Sequence, residues 1–407
     1  MARRGDDMTG ARSERQIDRK ALAALLMLLV VEAAIRAPAF TQGGFVSHDV
    51  GGILYSAMVL HDGGLPYVDT VELKGPGTFY LAWALAGADG RDIAQFQVMA
   101  NLWAMCGTCL VFQMTRRVGG VFAATVAGLL YVLHQPWLDS MDANYVTWAN
   151  TFQIAAVGMV WRGAGERVTS TGWRWVVAGL LATAAALCKR QAGFVVFGLL
   201  WCALVGVGGE GDGGRDRIRR ALALFVGGLS PLLAGTLHYA SHGEGAEFIR
   251  GFAFNEWGWR YAAAGGGGDS VLWEGLLATT YFLALPLGLV ILGLGLGRGV
   301  GLGAQQSGGW AARGWRGLLV WFLAMIATAW VGGRFYKGYY ALTLAPAVIL
   351  AGSAVGAVWA RVRTEDRGWT RALGGLAVVV LIAGLGRAGV LVTELRAARS
   401  APRDLGA

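Results

Sequence analysis

Charge is what this sequence has least of. Asp, Glu, Lys and Arg make up 15% of its 407 residues, against roughly a quarter in water-soluble domains. That scarcity excludes a soluble globular enzyme. A soluble body on a single anchor is excluded too, because 55% hydrophobic residues supply on the order of ten spans of about 20 apolar residues each. Cysteine is also rare. Of the four, Cys106 and Cys109 fall inside one apolar stretch and Cys188 and Cys202 flank another. No His or second CxxC completes a zinc set, so all four read as packing residues. A hard divalent cation wants several oxygen ligands and few can be named, so no cofactor is expected and a divalent cation stays open without support.

What is present is a series of apolar blocks at 21–40, 92–114, 121–138, 145–160, 173–187, 194–207, 221–239, 271–296, 318–331, 340–360 and 373–391. The expected fold is therefore an all-α integral membrane bundle of about 11 transmembrane helices. It divides into an N-terminal tail at 1–20, a membrane domain at 21–391 and a short tail at 392–407. The net charge of +9 resolves by position. With the N-terminus inside, the inside segments hold Arg3 to Lys20, Arg116 and Arg117, Arg162 to Arg174, Arg215 to Arg220, Arg298 to Arg316 and Arg361 to Arg371, which is 22 of the 35 basic residues. This is the positive-inside bias of a multi-pass protein. Basic residues scattered over short loops form no stripe for nucleic acid, so that partner is excluded and the lipid bilayer takes its place. The polar first 20 residues precede a span without a small-residue cleavage pattern, which reads as an uncleaved signal anchor in a bacterial cytoplasmic membrane. Within that span Glu32 and Arg36 are four apart on one helix face and are expected to pair.

Loop lengths separate structure from function. Most connections are short, but 41–91 and 240–270 are long and both fall outside, where functional residues of a multi-pass protein concentrate. In the first, Val50, Ile53, Leu54, Ala57 and Leu60 recur at helical spacing after Asp49, predicting a short interfacial helix that Gly63, Gly64 and Pro66 stop. A second amphipathic stretch follows Pro76 through Phe79, Tyr80, Trp83 and Leu85. The loop is thus expected to form a structured ledge at headgroup depth.

The order of Asp49, a short helix, and then Gly64, Pro66, Tyr67, Asp69, Glu72, Lys74 and Pro76 resembles the first loop of GT-C glycosyltransferases of the dolichyl-phosphate-mannose protein mannosyltransferase and aminoarabinose transferase type. Weaker echoes follow at Ala149-Asn150-Thr151, where Phe152 replaces the family's acidic residue, at Lys189-Arg190-Gln191, and at Gly333 to Tyr340 with Pro346, where Gly338 departs from the family's His. The resemblance covers residues 20 to about 350 in order. It implies a membrane glycosyltransferase of inverting type that moves a sugar from a polyprenyl-phosphate-linked donor to a glycolipid, polysaccharide or protein acceptor on the external face.

Such chemistry needs a carboxylate to take the acceptor proton and cations to meet the charge growing on the leaving phosphate. Asp49, at the end of the first span, is the expected base, although Asp is also a favoured helix N-cap. External cations are scarce, so Lys189, Arg190, Arg334 and Lys337 are the expected phosphate ligands. Tyr67, Asp69, Glu72 and Lys74 carry the first-loop motif in an acceptor-site or structural role, with a solvated turn as the alternative. Asp142, in the 134–144 loop with Asp139, is a secondary candidate. Trp257, Trp259, Arg260 and Tyr261 read as an interfacial aromatic belt. A lipid or oligosaccharide transporter stays open as the competing class, but it should show paired broken helices and inverted repeats, and neither is visible. A catalytically degenerate scaffold is the other alternative.

Overall fold

A computed structural model of the chain describes residues 6–41, 47–72, 74–138, 140–161, 172–206, 213–254, 271–297, 310–331 and 335–365. The apolar block at 373–391, Asp139, Arg334 and the 257–261 aromatics lie outside the described residues.

Helix α1 (Asp6–Thr41) carries the first apolar block. Two short helices follow, α2 (His48–His61) and α3 (Gly77–Leu85), as the spacing of the first external loop had predicted. The next segment, α4 (Ile93–His134), is helical over two apolar blocks, yet Gly120 sits at φ 78° and breaks it. It is a hairpin: a Cβ on Gly107 would come within 3.1 Å of the Tyr131 hydroxyl, and Phe112 and Ala124 share one small core with Leu28 of α1. Those contacts require residues 24 positions apart to lie side by side. The left-handed backbone at the turn explains why a glycine follows the Arg116-Arg117 pair.

The bundle continues through α5 (Tyr145–Val160), α6 (Gly172–Cys188), α7 (Val195–Trp201), α8 (Gly214–Ser241), the single turn α9 (Gly245–Phe248), α10 (Val271–Gly297), α11 (Trp310–Val331) and α12 (Lys337–Glu365). Turns of 3₁₀ helix at Pro136–Leu138 and Arg190–Phe194 and of π-helix at Cys202–Gly206 and Ile249–Phe254 join them. No strand occurs among the described residues. Among the described residues, five helical stretches are long and apolar enough to cross a membrane, with the hairpin Ile93–His134 counted as one: Arg19–Phe40, Ile93–His134, Gly214–Ser241, Trp273–Val290 and Lys337–Ala360. Three shorter apolar helices accompany them. The centre is α12, whose residues Tyr340 to Leu350 are almost all inaccessible and pack on α4 and α10.

The two charged residues buried in α1 are paired with each other. Glu32 and Arg36 are both buried and bonded at 3.0 Å. Arg36 also donates to Asn101, to Gln135 and to the Ser140 carbonyl, so its cost in an apolar interior is met by a full set of acceptors. At the other end of the bundle, Arg117 beside the α4 turn donates to the carbonyl of Trp161 at the end of α5.

Helices α6 and α8 touch backbone to backbone. A Cβ on Gly179 would collide with the Leu224 carbonyl, and one on Gly227 with the Val176 carbonyl. Thr183 donates to the Gly228 carbonyl at 2.8 Å across the same seam. Small residues at this crossing replace hydrophobic driving force with close van der Waals contact. Gly227→Leu is therefore expected to lower stability by at least about 1 to 3 kcal/mol, read as an earlier thermal unfolding midpoint in detergent. Gly288→Leu, where a Cβ meets nothing within 4 Å, serves as control; equal midpoints for the two variants would contradict the close packing.

Candidate active site

Helix α2 begins with Ser47 in extended conformation (φ −70°, ψ 158°), whose carbonyl accepts from Val50 N–H at 3.0 Å. The Asp49 side chain makes no cap. It turns away from its own helix, accepting from Lys74 Nζ at 2.7 Å and from the Tyr145 hydroxyl at 2.8 Å. Burial pushes this carboxyl up, but the Lys74 ammonium, the Tyr145 hydroxyl and the nearby Lys189 outweigh it and hold it below the usual carboxylate range. Asp49 is ionised at neutral pH.

The rest of the first-loop motif explains how Lys74 reaches it. Asp69 accepts the Leu65 N–H at 2.7 Å and closes the turn after α2. Tyr67, held at φ 71°, donates its hydroxyl to the Lys74 carbonyl. Glu72 faces α2, with Ser56 Oγ 3.5 Å from its carboxylate. Gly75 then passes under the C-terminus of α6, where any Cβ would strike the Leu187 carbonyl. Tyr67, Asp69 and Glu72 shape the loop, and Lys74 is the motif residue that the loop delivers.

Directly after α6 comes Lys189. It is 5% exposed, and among the described residues it forms no ion pair. Its ammonium lies between two ring faces, 4.5 Å from the centroid of Tyr145 and 4.4 Å from that of Tyr339. Lys74 lies over the Tyr145 ring too, at 4.9 Å. Desolvation lowers the Lys189 ammonium from its ordinary value to about 7, with Asp49 partly opposing the fall and Lys74 adding to it. Two ammonium groups thus share a small space with one carboxylate, an arrangement suited to receive an anion.

Other expected residues distribute around this centre. Arg190 points the opposite way: its guanidinium donates to the Phe252 and Gly251 carbonyls and stacks on Phe252, and it also bonds Tyr67. That engagement suits a brace for the segment after α9 rather than a phosphate ligand. Asp142 is buried, accepts the Asn144 N–H through its side chain and the Thr147 hydroxyl through its carbonyl, and lies close enough to act on Tyr145. Lys337 is exposed and opens α12, next to Gly338, whose Cβ position is 4.0 Å from Val146. Among the described residues, no group of three or more His, Cys, Asp or Glu is placed to hold a metal.

Two residues were not identified from the sequence as members of the site, Tyr145 and Tyr339. A signal for the first existed. Asn144 before an apolar run is an N-cap pattern, and its side chain does accept from Val146 and Thr147 N–H, which puts Tyr145 at the mouth of α5.

No protein-family model and no curated protein matches the chain. Solved structures do. ArnT from Cupriavidus metallidurans bound to undecaprenyl phosphate superposes with a TM-score of 0.58 at 17% identity, over 87% of this chain and 63% of that one. The oligosaccharyltransferase AglB from Archaeoglobus fulgidus, in complex with an inhibitory peptide and a dolichol-phosphate, gives 0.59 at 12% identity, over 91% of this chain and 55% of that one. The chain spans under two thirds of the length of either, and at these identities the likeness is one of architecture. The chain therefore shares the helical membrane fold of these structures.

Proposed function

We propose that this chain is a membrane glycosyltransferase that moves a sugar from a polyprenyl-phosphate-linked donor to an acceptor on the external face, with inversion at the anomeric carbon. The observation that carries the reading is the buried Lys189 ammonium, unmatched by a carboxylate of its own, beside the ionised Asp49. An anion subsite and a base in one small space are the two halves of a transfer to a hydroxyl or amine. The undecaprenyl phosphate bound to ArnT and the dolichol-phosphate bound to AglB support the donor class.

In this reading Lys189 and Lys74 meet the phosphate, and Lys337, exposed at the start of α12, is a further cation for it. Both oxygens of Asp49 are occupied before substrate arrives. A phosphate beside Lys74 competes for its ammonium and frees Oδ1 for the acceptor. The acceptor oxygen then bonds to the anomeric carbon as the carbon–oxygen bond to phosphate breaks. The acceptor proton passes to Asp49, and the leaving phosphate keeps the electron pair under the two lysines.

Two measurements follow. Asp49→Asn removes the base while keeping the shape, and it is expected to lower kcat by about 10² to 10⁴-fold with protein still accumulating in the membrane. Near wild-type transfer by this variant sinks the assignment. Lys189 is charged below about 7 and neutral above it, and kcat/KM reports the free enzyme. For a phosphodiester donor, whose own charge is constant, kcat/KM should therefore fall as pH rises through that value in the wild type and stay flat in Lys189→Gln. A wild-type value insensitive to pH there removes Lys189 from the phosphate site.

A further inference from the structure

A glutamate and an arginine inside a membrane helix are costly, and apolar residues of similar size do as well or better for stability alone. The use made of Arg36 is the informative part. One edge of its guanidinium is held by Glu32 of its own helix. The remaining donors reach three other segments: Asn101 in the first limb of α4, the Gln135 side chain at the end of the second limb, and the Ser140 carbonyl in the turn beyond. Gln135 returns a hydrogen bond to Glu32, and its own carbonyl accepts from the Leu138 and Ser140 N–H groups. The turn after α4 is therefore fixed to α1 on both of its sides.

That turn leads straight to the site. Asp142 accepts from Asn144 N–H, Asn144 caps α5, and Thr147 donates back to the Asp142 carbonyl, so the stretch from Asp142 to Thr147 is a closed hydrogen-bonded unit. Its product is the location of Tyr145, whose hydroxyl donates to Asp49. Few covalent steps separate the anchored carbonyl from the residue that holds the base.

We infer that Arg36 is a positioning residue for the transfer site: by holding the Ser140 carbonyl it sets the turn that starts α5 and keeps the Tyr145 hydroxyl on Asp49. The inference rests on the reading of Asp49 as the base. The charged and titratable groups involved are few. Asp49 faces Lys74, Tyr145 and Lys189; Tyr145 faces Asp49, Tyr339 and Asp142, with Lys74 and Lys189 over its ring; Arg36 faces Glu32 and Tyr131. The Tyr145 hydrogen bond favours the ionised form of Asp49, so losing it moves the acid limb of the rate profile to higher pH.

The test is a double-mutant cycle on purified full-length protein in lipid nanodiscs, with transfer rates measured across pH. Arg36→Lys keeps the charge but has no fork to span Glu32 and Ser140 together. It is expected to lower kcat by about tenfold while the donor KM changes by less than about twofold, and to raise the acid limb. Tyr145→Phe should move the limb the same way, and the combined variant should be no worse than Tyr145→Phe alone. Arg36→Lys alters the buried pair with Glu32, so the apolar pair Glu32→Met with Arg36→Met is run beside it as a folding control and should give the same kinetic signature at normal yield. Multiplying losses, an unmoved acid limb, or normal turnover per folded molecule in both Arg36 variants overturns the inference. Asp49→Asn in the same assay separates the two levels. If it is active, the base assignment fails and takes this inference with it; if it is inactive while the Arg36 variants behave as wild type, only the positioning role fails.

Discussion

A lysine ammonium removed from water with no ion-pair partner among the described residues is the constraint around which one end of this molecule is built. Burial of Lys189 lowers its pKa to about 7, and what compensates is indirect: the faces of Tyr145 and Tyr339, and the field of an Asp49 already bonded to Lys74. Cation–π contacts of this kind are worth about 0.5 to 2 kcal/mol each, less than full hydration. In the proposed function, an incoming phosphate relieves that deficit. Asp49, by contrast, is over-supplied, with a cation and a hydroxyl on its two oxygens. The pair is unequal in a useful sense, since one group lacks a partner and the other has a partner to give up.

Holding that imbalance requires four separated parts of the chain to meet at one end of the bundle. The first-loop ledge brings Asp49 and Lys74, the start of α5 brings Tyr145, the end of α6 brings Lys189 and the start of α12 brings Tyr339. Each is fixed by a local device rather than by loop length: the glycine passing under Leu187, the Asn144 cap, and the buried Glu32–Arg36 group that ties α1 to the turn before α5. The backbone contact of α6 with α8 and the deeply buried α12 give these devices a rigid base.

Much of the architecture was legible because membrane helices and interfacial helices leave periodic apolar signals. The spacing of Val50, Ile53, Leu54, Ala57 and Leu60 predicted α2, Pro76 marked the start of α3, and two apolar blocks around Arg116 and Arg117 anticipated the hairpin at Gly120. Glu32 and Arg36 were expected to pair from their spacing, and they do. The site was legible only in its charged members. Asp49 could equally have been a cap, and spacing does not distinguish the two; its two oxygens are instead taken by partners 25 and 96 residues away. Tyr145 and Tyr339 escaped notice because an aromatic at the mouth of a span looks like a belt residue until a cation is seen against its face. Arg190 was expected to grip phosphate as a scarce external cation, yet backbone carbonyls that no sequence pattern announces occupy its guanidinium.

The central claim is that this cationic pocket holds the phosphate of a polyprenyl carrier. Mass spectrometry of lipid extracted from the purified wild-type protein and from Lys189→Gln tests it most directly. The account predicts a polyprenyl phosphate, free or sugar-linked, bound to the wild type and depleted in the variant. Equal recovery of that lipid from both proteins, or its absence from a wild type reloaded with excess polyprenyl phosphate, would contradict it.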